Sequence, residues 1–145
     1  MKTRNEITVA LAQERVVELY TCQDLLPSWS PGLRSFDVIG DGTDGSKPRF
    51  RQRYLAMGRE IDEEITLLEN NLPSGFCTRA ENGGTLTRES RTTFESIDQN
   101  STRIVVLNSF SGEHVVHLVS EDLHNYTQHF LAAFKTFAEN KETKS

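Results

Sequence analysis

A long amphipathic helix near the C-terminal end of the sequence constrains the fold most. Residues 120–140 read SEDLHNYTQHFLAAFKTFAEN, about 30 Å of helix at 1.5 Å per residue. At about 100° per residue, the apolar and ring-bearing side chains fall in one arc. This arc contains Leu123, Tyr126, Thr127, Phe130, Phe134, Phe137 and Ala138. A face this broad needs a broad apolar partner.

The rest of the chain predicts a sheet as that partner. Residues 2–10 alternate as a strand does, residues 13–22 have helical spacing, and a brief helical turn at 24–26 is closed by the segment LPSWSPG. Beyond it, turn residues recur at short intervals. They separate six candidate strands at 33–39, 48–56, 59–68, 75–81, 85–97 and 102–111. We therefore expect an antiparallel sheet of seven strands wrapped on the final helix.

The Met57-Gly58 turn predicts how its two flanking strands pair. A two-residue hairpin turn aligns residues that are equally distant from it. The charged pairs are then Arg53–Asp62 and Arg51–Glu64, and the apolar pairs are Tyr54–Ile61 and Phe50–Ile65. Charged and apolar pairs fall on opposite faces, which a register shift of one residue would destroy.

Several polar residues are predicted on the apolar face of the same sheet. The register places Gln52 and Glu63 there, and strand alternation adds Arg88 and Asn108. Burying unpaired polar groups costs several kcal/mol, so a solid core would not accept all four. We therefore expect an interior that holds water or a ligand.

Glu63 and Arg88 are predicted to form an ion pair in this interior. A loop over 82–84 would place Arg88 beside Thr78 and facing inward, with one strand between it and the strand of Glu63. The alternative is a bulge after Asn82 that turns Arg88 outward.

The order of elements resembles the START-like, or Bet v 1-like, helix-grip superfamily, and is similar to its polyketide cyclase/dehydrase-type SRPBCC branch. The stretches VALAQERVVELYTCQDLLPSWSPG and TQHFLAAFKTFAEN carry the resemblance, which extends from Ile7 to Glu139. It implies an α+β helix-grip domain over 1–140: a seven-stranded curved antiparallel sheet around a long C-terminal helix, with two short helices after strand 1. We expect residues 141–145 to form a disordered tail.

The resemblance also implies a ligand cavity between the sheet and the helix. We expect Trp29, Gln52, Tyr54, Glu63, Arg88, Asn108, Tyr126, Phe130 and Phe134 to line it. The favoured function is binding of a small, mostly apolar molecule. The alternative is a cyclase, dehydratase or isomerase acting on a polyketide-like or other hydrophobic substrate, with Glu63 as general base and Arg88 or Tyr126 stabilising oxyanion charge. A third hypothesis is a domain with a vestigial pocket whose function is to bind other proteins. The superfamily has no universal catalytic residue, so catalytic residues remain unknown.

Composition argues against several other classes of protein. A net charge of -5 offers no general attraction to nucleic acid, and no long apolar run predicts a membrane span. Cys22 and Cys77 lack a CxxC pattern, which favours reduced thiols. The stretch MKTRNEITVAL reads as a strand and not as a secretion signal, so we expect a cytoplasmic location. The four histidines do not share one helical face, so no metal or other cofactor is expected. Whether the chain forms a homodimer stays open.

Overall fold

The structure, a computed structural model, describes residues 1–83 and 85–143. The strands are β1 Lys2–Val9, β2 Leu33–Gly40, β3 Arg49–Ala56, β4 Arg59–Asn71, β5 Gly75–Asn82, β6 Leu86–Asp98 and β7 Ser101–Ser111. The α-helices are α1 Gln13–Thr21, α2 Leu26–Trp29 and α3 Ser120–Thr143. Two 3₁₀ turns, Gln23–Leu25 and Glu113–His117, precede α2 and α3 respectively.

The strands of these described residues form one antiparallel sheet in the order β1-β7-β6-β5-β4-β3-β2. All neighbours except β1 and β7 are consecutive in the chain, which makes the middle of the protein a meander. The sheet curves around α3, and the short helices follow β1. The predicted helix-grip architecture is confirmed.

The hairpin of β3 and β4 has the predicted register. Arg53 lies opposite Asp62 and Arg51 opposite Glu64. The shortest ion pairs run diagonally, however: Arg51 bonds Asp62 at 2.9 Å and Arg49 bonds Glu64 at 3.0 Å, whereas the directly opposite Arg53 and Asp62 lie 3.9 Å apart. Long side chains reach diagonal neighbours readily on a twisted sheet. These pairs are exposed, so they help to specify register more than they stabilise the fold.

The hairpin of β5 and β6 differs from the predicted one by two residues. Asn82 pairs with Leu86 and Ala80 pairs with Arg88, whereas the prediction placed Thr78 beside Arg88. The connection therefore spans 83–85, and Gly84 lies outside the described residues. Because side chains alternate with a period of two, this shift leaves Arg88 on the inner face. The alternative of a bulge that turns Arg88 outward is wrong.

Helix α3 runs alongside β1, and side-chain hydrogen bonds connect them. The Asn5 side chain donates to the His124 carbonyl at 2.9 Å, and Lys135 donates to the Thr8 carbonyl at 2.7 Å. The helix continues to Thr143 and so includes part of the segment predicted as a tail; residues 144–145 lie outside the described residues. Leu131, which the predicted apolar arc omitted, is fully buried.

An aromatic cluster joins α3 to the helices that follow β1. The ring of Phe134 lies 5.0 Å from that of Tyr20 and 4.9 Å from that of Trp29, centroid to centroid. Trp29 also contacts Phe130, and Tyr20 contacts Phe94 of β6. Edge-to-face contacts of this kind add to the stabilisation that burial gives. The LPSWSPG segment is thereby anchored to the core through Trp29.

Candidate functional site

A cavity of about 1310 Å³ lies between the inner face of the sheet and α3. Typical small-molecule sites have about 300–1,000 Å³, so the space is ample for one organic ligand. The predicted residues that line it from the sheet are Gln52, Tyr54, Glu63, Arg88 and Asn108. Those that line it from the helices are Trp29, Tyr126 and Phe130.

Phe134 requires a correction. It was predicted to line the cavity, but it is fully buried in the hydrophobic core, against Tyr20 and Trp29. These two partners do line the cavity. Their rings cover Phe134, which is therefore a core residue.

Several residues that were not predicted to line the cavity also do so. Strand alternation could have identified the rings of Phe50 and Phe110, which share the inner faces of their strands with Gln52 and Asn108. The rings of Phe36 on β2 and Phe76 on β5 also line the cavity. Residues 114 and 117–119 also line the cavity. They follow the last strand in a 3₁₀ turn and its exit, where no periodic pattern could have indicated their direction.

The predicted ion pair of Glu63 and Arg88 is confirmed. Arg88 Nη2 lies 2.9 Å from Glu63 Oε1, and Arg88 Nη1 lies 3.4 Å from Oε2. Gln52 donates to Glu63 Oε1 at 2.6 Å, and Arg88 Nη1 donates to the Tyr54 hydroxyl at 3.4 Å. The Glu63 side chain is only 5% exposed. Buried charges need such pairing and hydrogen bonding to be tolerated.

Two opposing effects act on the pKa of Arg88. Burial lowers it, but the Glu63 carboxylate and the Tyr54 hydroxyl outweigh burial and raise the pKa above its ordinary value. The guanidinium is therefore a permanent positive charge in the cavity wall.

A second polar group bridges three elements of the cavity wall. Ser90 of β6 donates to Asn108 Oδ1 of β7 at 2.5 Å, and Asn108 Nδ2 lies 3.5 Å from Thr127 Oγ1 of α3. Asn108 is 6% exposed, and these contacts satisfy its amide. The polar residues thus hold the sheet to the helix while the surrounding walls stay largely apolar.

Burial raises the pKa of each of the three tyrosines, Tyr20, Tyr54 and Tyr126, above the ordinary phenol value of 10.0. Above pH 10.0 the native state therefore binds more protons than the unfolded state, so the stability of the fold decreases as the pH rises. Below this pH the three tyrosines do not make stability depend on pH.

We predict that tyrosinate absorbance appears only above pH 10, and that the urea concentration at the midpoint of unfolding decreases over the same pH range. The control is the same titration in concentrated urea. A tyrosine of the native protein that titrates at or below pH 10 would contradict the prediction.

Two of the histidines lie close together in front of α3. The rings of His114 and His117 lie 5.9 Å apart in the turn before α3. Within residues 1–83 and 85–143, no three His, Cys, Asp or Glu side chains are grouped so as to hold a metal ion. No helix in the described part of the chain is both long enough and apolar enough to cross a bilayer.

Comparison with known proteins identifies the fold. No family model and no curated protein sequence matches the chain. Among solved structures, a START superfamily protein from Mycobacterium smegmatis superposes with a TM-score of 0.79 at 14% identity, over 96% of this chain and 97% of that one. The Zhui aromatase/cyclase from Streptomyces sp. R1128 gives 0.78 at 13% identity, over 97% and 94%. Ara h 8.0201 gives 0.74 at 14% identity, over 97% and 98%.

These similarities extend over nearly the whole chain, so the protein has the START-like, or Bet v 1-like, helix-grip fold of SRPBCC proteins. The predicted resemblance is confirmed at the level of fold. A shared fold does not carry a ligand or a reaction with it, so function must be argued from the cavity of this chain.

Proposed function

We propose that this protein binds a small, mostly apolar molecule in the cavity between its sheet and α3. The observation that carries the proposal is the cavity itself: about 1310 Å³, lined by rings such as Phe36, Phe50 and Phe76. Apolar walls with a few fixed polar groups are typical of ligand sites, because burial supplies affinity and the polar groups supply orientation. Glu63 and Arg88 are the fixed polar groups here.

The arrangement around Glu63 supports binding over acid–base catalysis. A general base needs a free lone pair within reach of the substrate proton. The two carboxylate oxygens of Glu63 accept from Gln52 and from both amino groups of Arg88. Three of the roughly four lone-pair sites of Glu63 are thus occupied, and only 5% of its side chain is exposed, which leaves a substrate little access to this carboxylate. The alternative, an enzyme of cyclase, dehydratase or isomerase type, would need its substrate proton to reach the remaining lone pair of Glu63, with Arg88 or Tyr126 as donors.

Native mass spectrometry of the purified protein tests the proposal. We expect a mass above that of the chain, lost on denaturation, and binding of the neutral fluorescent probe N-phenylnaphthylamine to protein stripped of this molecule. The variant Thr78→Trp places an indole in the cavity, because Thr78 lines it. It should weaken probe binding by at least about tenfold, which corresponds to about 1.4 kcal/mol.

The matched control is Arg79→Trp. Arg79 is the next residue of the same strand, and it faces outward, where it pairs with Glu89 at 3.6 Å. This variant should bind the probe as the wild type does. Absence of both retained ligand and probe binding, or equal loss in the two variants, would overturn the proposal.

A further inference from the structure

The charges that line the cavity limit what it can hold. Of the acidic, basic and histidine side chains that line it in the described residues, Glu63 and Arg88 lie inside, whereas Arg59, Glu60, His114, His117 and Asp122 are exposed to solvent. Glu63 and Arg88 neutralise each other at 2.9 Å. An anionic ligand group placed in this interior would therefore lack a counter-charge, and an unpaired buried charge is costly.

Arg88 nevertheless keeps hydrogen-bonding capacity. A guanidinium carries five N–H groups. The described residues use at most three of them, two toward Glu63 and one toward Tyr54. The Arg88 side chain is 25% exposed, against 5% for Glu63, and it lines the cavity. At least two N–H donors of a charge-compensated group thus remain for an occupant.

Tyr126 supplies a further donor nearby. Its ring stacks on that of Tyr54, with centroids 6.2 Å apart, and Tyr54 in turn accepts from Arg88. The Tyr126 hydroxyl has no hydrogen-bond partner among the described residues. Burial raises its pKa, so it stays a neutral O–H donor at physiological pH. Tyr54 thus contacts both Arg88 on the sheet and Tyr126 on α3.

We propose that the cavity selects neutral apolar molecules that carry a carbonyl-type oxygen, and discriminates against carboxylates. The oxygen accepts hydrogen bonds from the unused N–H groups of Arg88 and from the Tyr126 hydroxyl, while Glu63 cancels the charge that would otherwise attract an anion. This inference rests on the proposed ligand-binding function and adds the chemical class of the ligand. It makes Glu63 a specificity determinant that never needs to touch the ligand.

Three naphthalenes of nearly equal shape test the selection at neutral pH: ethylnaphthalene, the methyl ketone acetonaphthone, and the anion naphthoate. In the wild type we expect the ketone to bind about tenfold more tightly than the hydrocarbon, the ratio that one hydrogen bond of ordinary strength gives. Naphthoate should bind at least tenfold more weakly than the ketone. The infrared carbonyl band of bound acetonaphthone should shift to lower frequency than in hexane.

Variants identify the source of the selection. Arg88→Met should abolish the advantage of the ketone over the hydrocarbon, whereas Arg91→Met should keep it, because Arg91 is on the same strand but bonds Glu69 on the outer surface. Glu63→Gln removes the compensating charge and should improve naphthoate binding at least tenfold. If a cavity variant does not fold, the wild-type affinities and the infrared band still decide the question.

The possible failures are distinguishable. If ethylnaphthalene binds but the ketone binds no better, or naphthoate binds as well as the ketone, the inference is wrong while the ligand-binding function stands. If none of the three compounds binds although the protein retains a ligand or binds N-phenylnaphthylamine, the inference alone fails. If the protein neither retains a ligand nor binds the probe, the proposed function fails and the inference fails with it.

Discussion

Replacing Phe134 by alanine is expected to lower the free energy of unfolding by about 3–5 kcal/mol, as measured by urea denaturation. Phe134 is fully buried, and its ring contacts Tyr20 and Trp29. Both partners come from the segment between β1 and β2, so the truncation leaves a void where α3, α1 and α2 meet. A void that neighbours cannot fill adds to the lost transfer energy of the ring.

Phe130→Ala is the matched control. Phe130 lies one helical turn earlier on α3, is half-buried and lines the cavity. Its removal enlarges a space that is already there, so it should cost less than the Phe134 change and should instead weaken probe binding. Equal losses of stability in the two variants, or a loss below about 1 kcal/mol for Phe134→Ala, would show that Phe134 is not a core residue.

The contrast between these two phenylalanines shows what periodicity can predict. Both lie on the apolar arc of α3, and the arc identified the buried face correctly. It could not distinguish a ring packed in the core from a ring on a cavity wall, because both positions favour apolar side chains. The difference depends on Tyr20 and Trp29, which are distant in sequence and reach α3 only through the tertiary fold.

The two hairpins show a similar limit for strand pairing. The Met57-Gly58 turn fixed its register because Gly58 and Met57 both have positive φ, as a tight two-residue turn requires. The loop after Asn82 could start at either of two positions, and the sequence contains glycines that suit both. The predicted pairing register was wrong by two residues, yet Arg88 still faces inward. A shift by an even number of residues leaves every side chain on the same face of the sheet.

The polar residues of the cavity were predictable because they violate the apolar pattern of their strands. Gln52, Glu63 and Asn108 each interrupt an inward-facing apolar series, Arg88 shares the face of Phe94 with Ser90 and Thr92, and all four predicted residues line the cavity. Their partners were only partly predictable. Strand order suggested that Glu63 and Arg88 could meet, whereas the bridge from Asn108 to Thr127 depends on how α3 lies across the sheet.

Breaking the Glu63–Arg88 pair is the other change with a large expected effect, and the two single variants should differ. Arg88→Met leaves the Glu63 carboxylate, 5% exposed, without its counter-charge, and should destabilise the protein by about 3–5 kcal/mol. Glu63→Gln leaves a guanidinium that is 25% exposed to the cavity, where water can hydrate it. Its cost should be smaller, about 1–3 kcal/mol.

The double variant, which combines Glu63→Gln with Arg88→Met, decides whether the two residues act as a pair. It contains neither charge and so leaves no unpaired ion. Its loss of stability should therefore fall well below the sum of the single losses, with a coupling of about 1–3 kcal/mol. Thermal and urea unfolding of the four proteins at neutral pH measure this cycle. Additive losses would mean that the two charges do not stabilise each other in solution, and the cavity wall would then lack the internal neutralisation from which its preference for uncharged ligands was inferred.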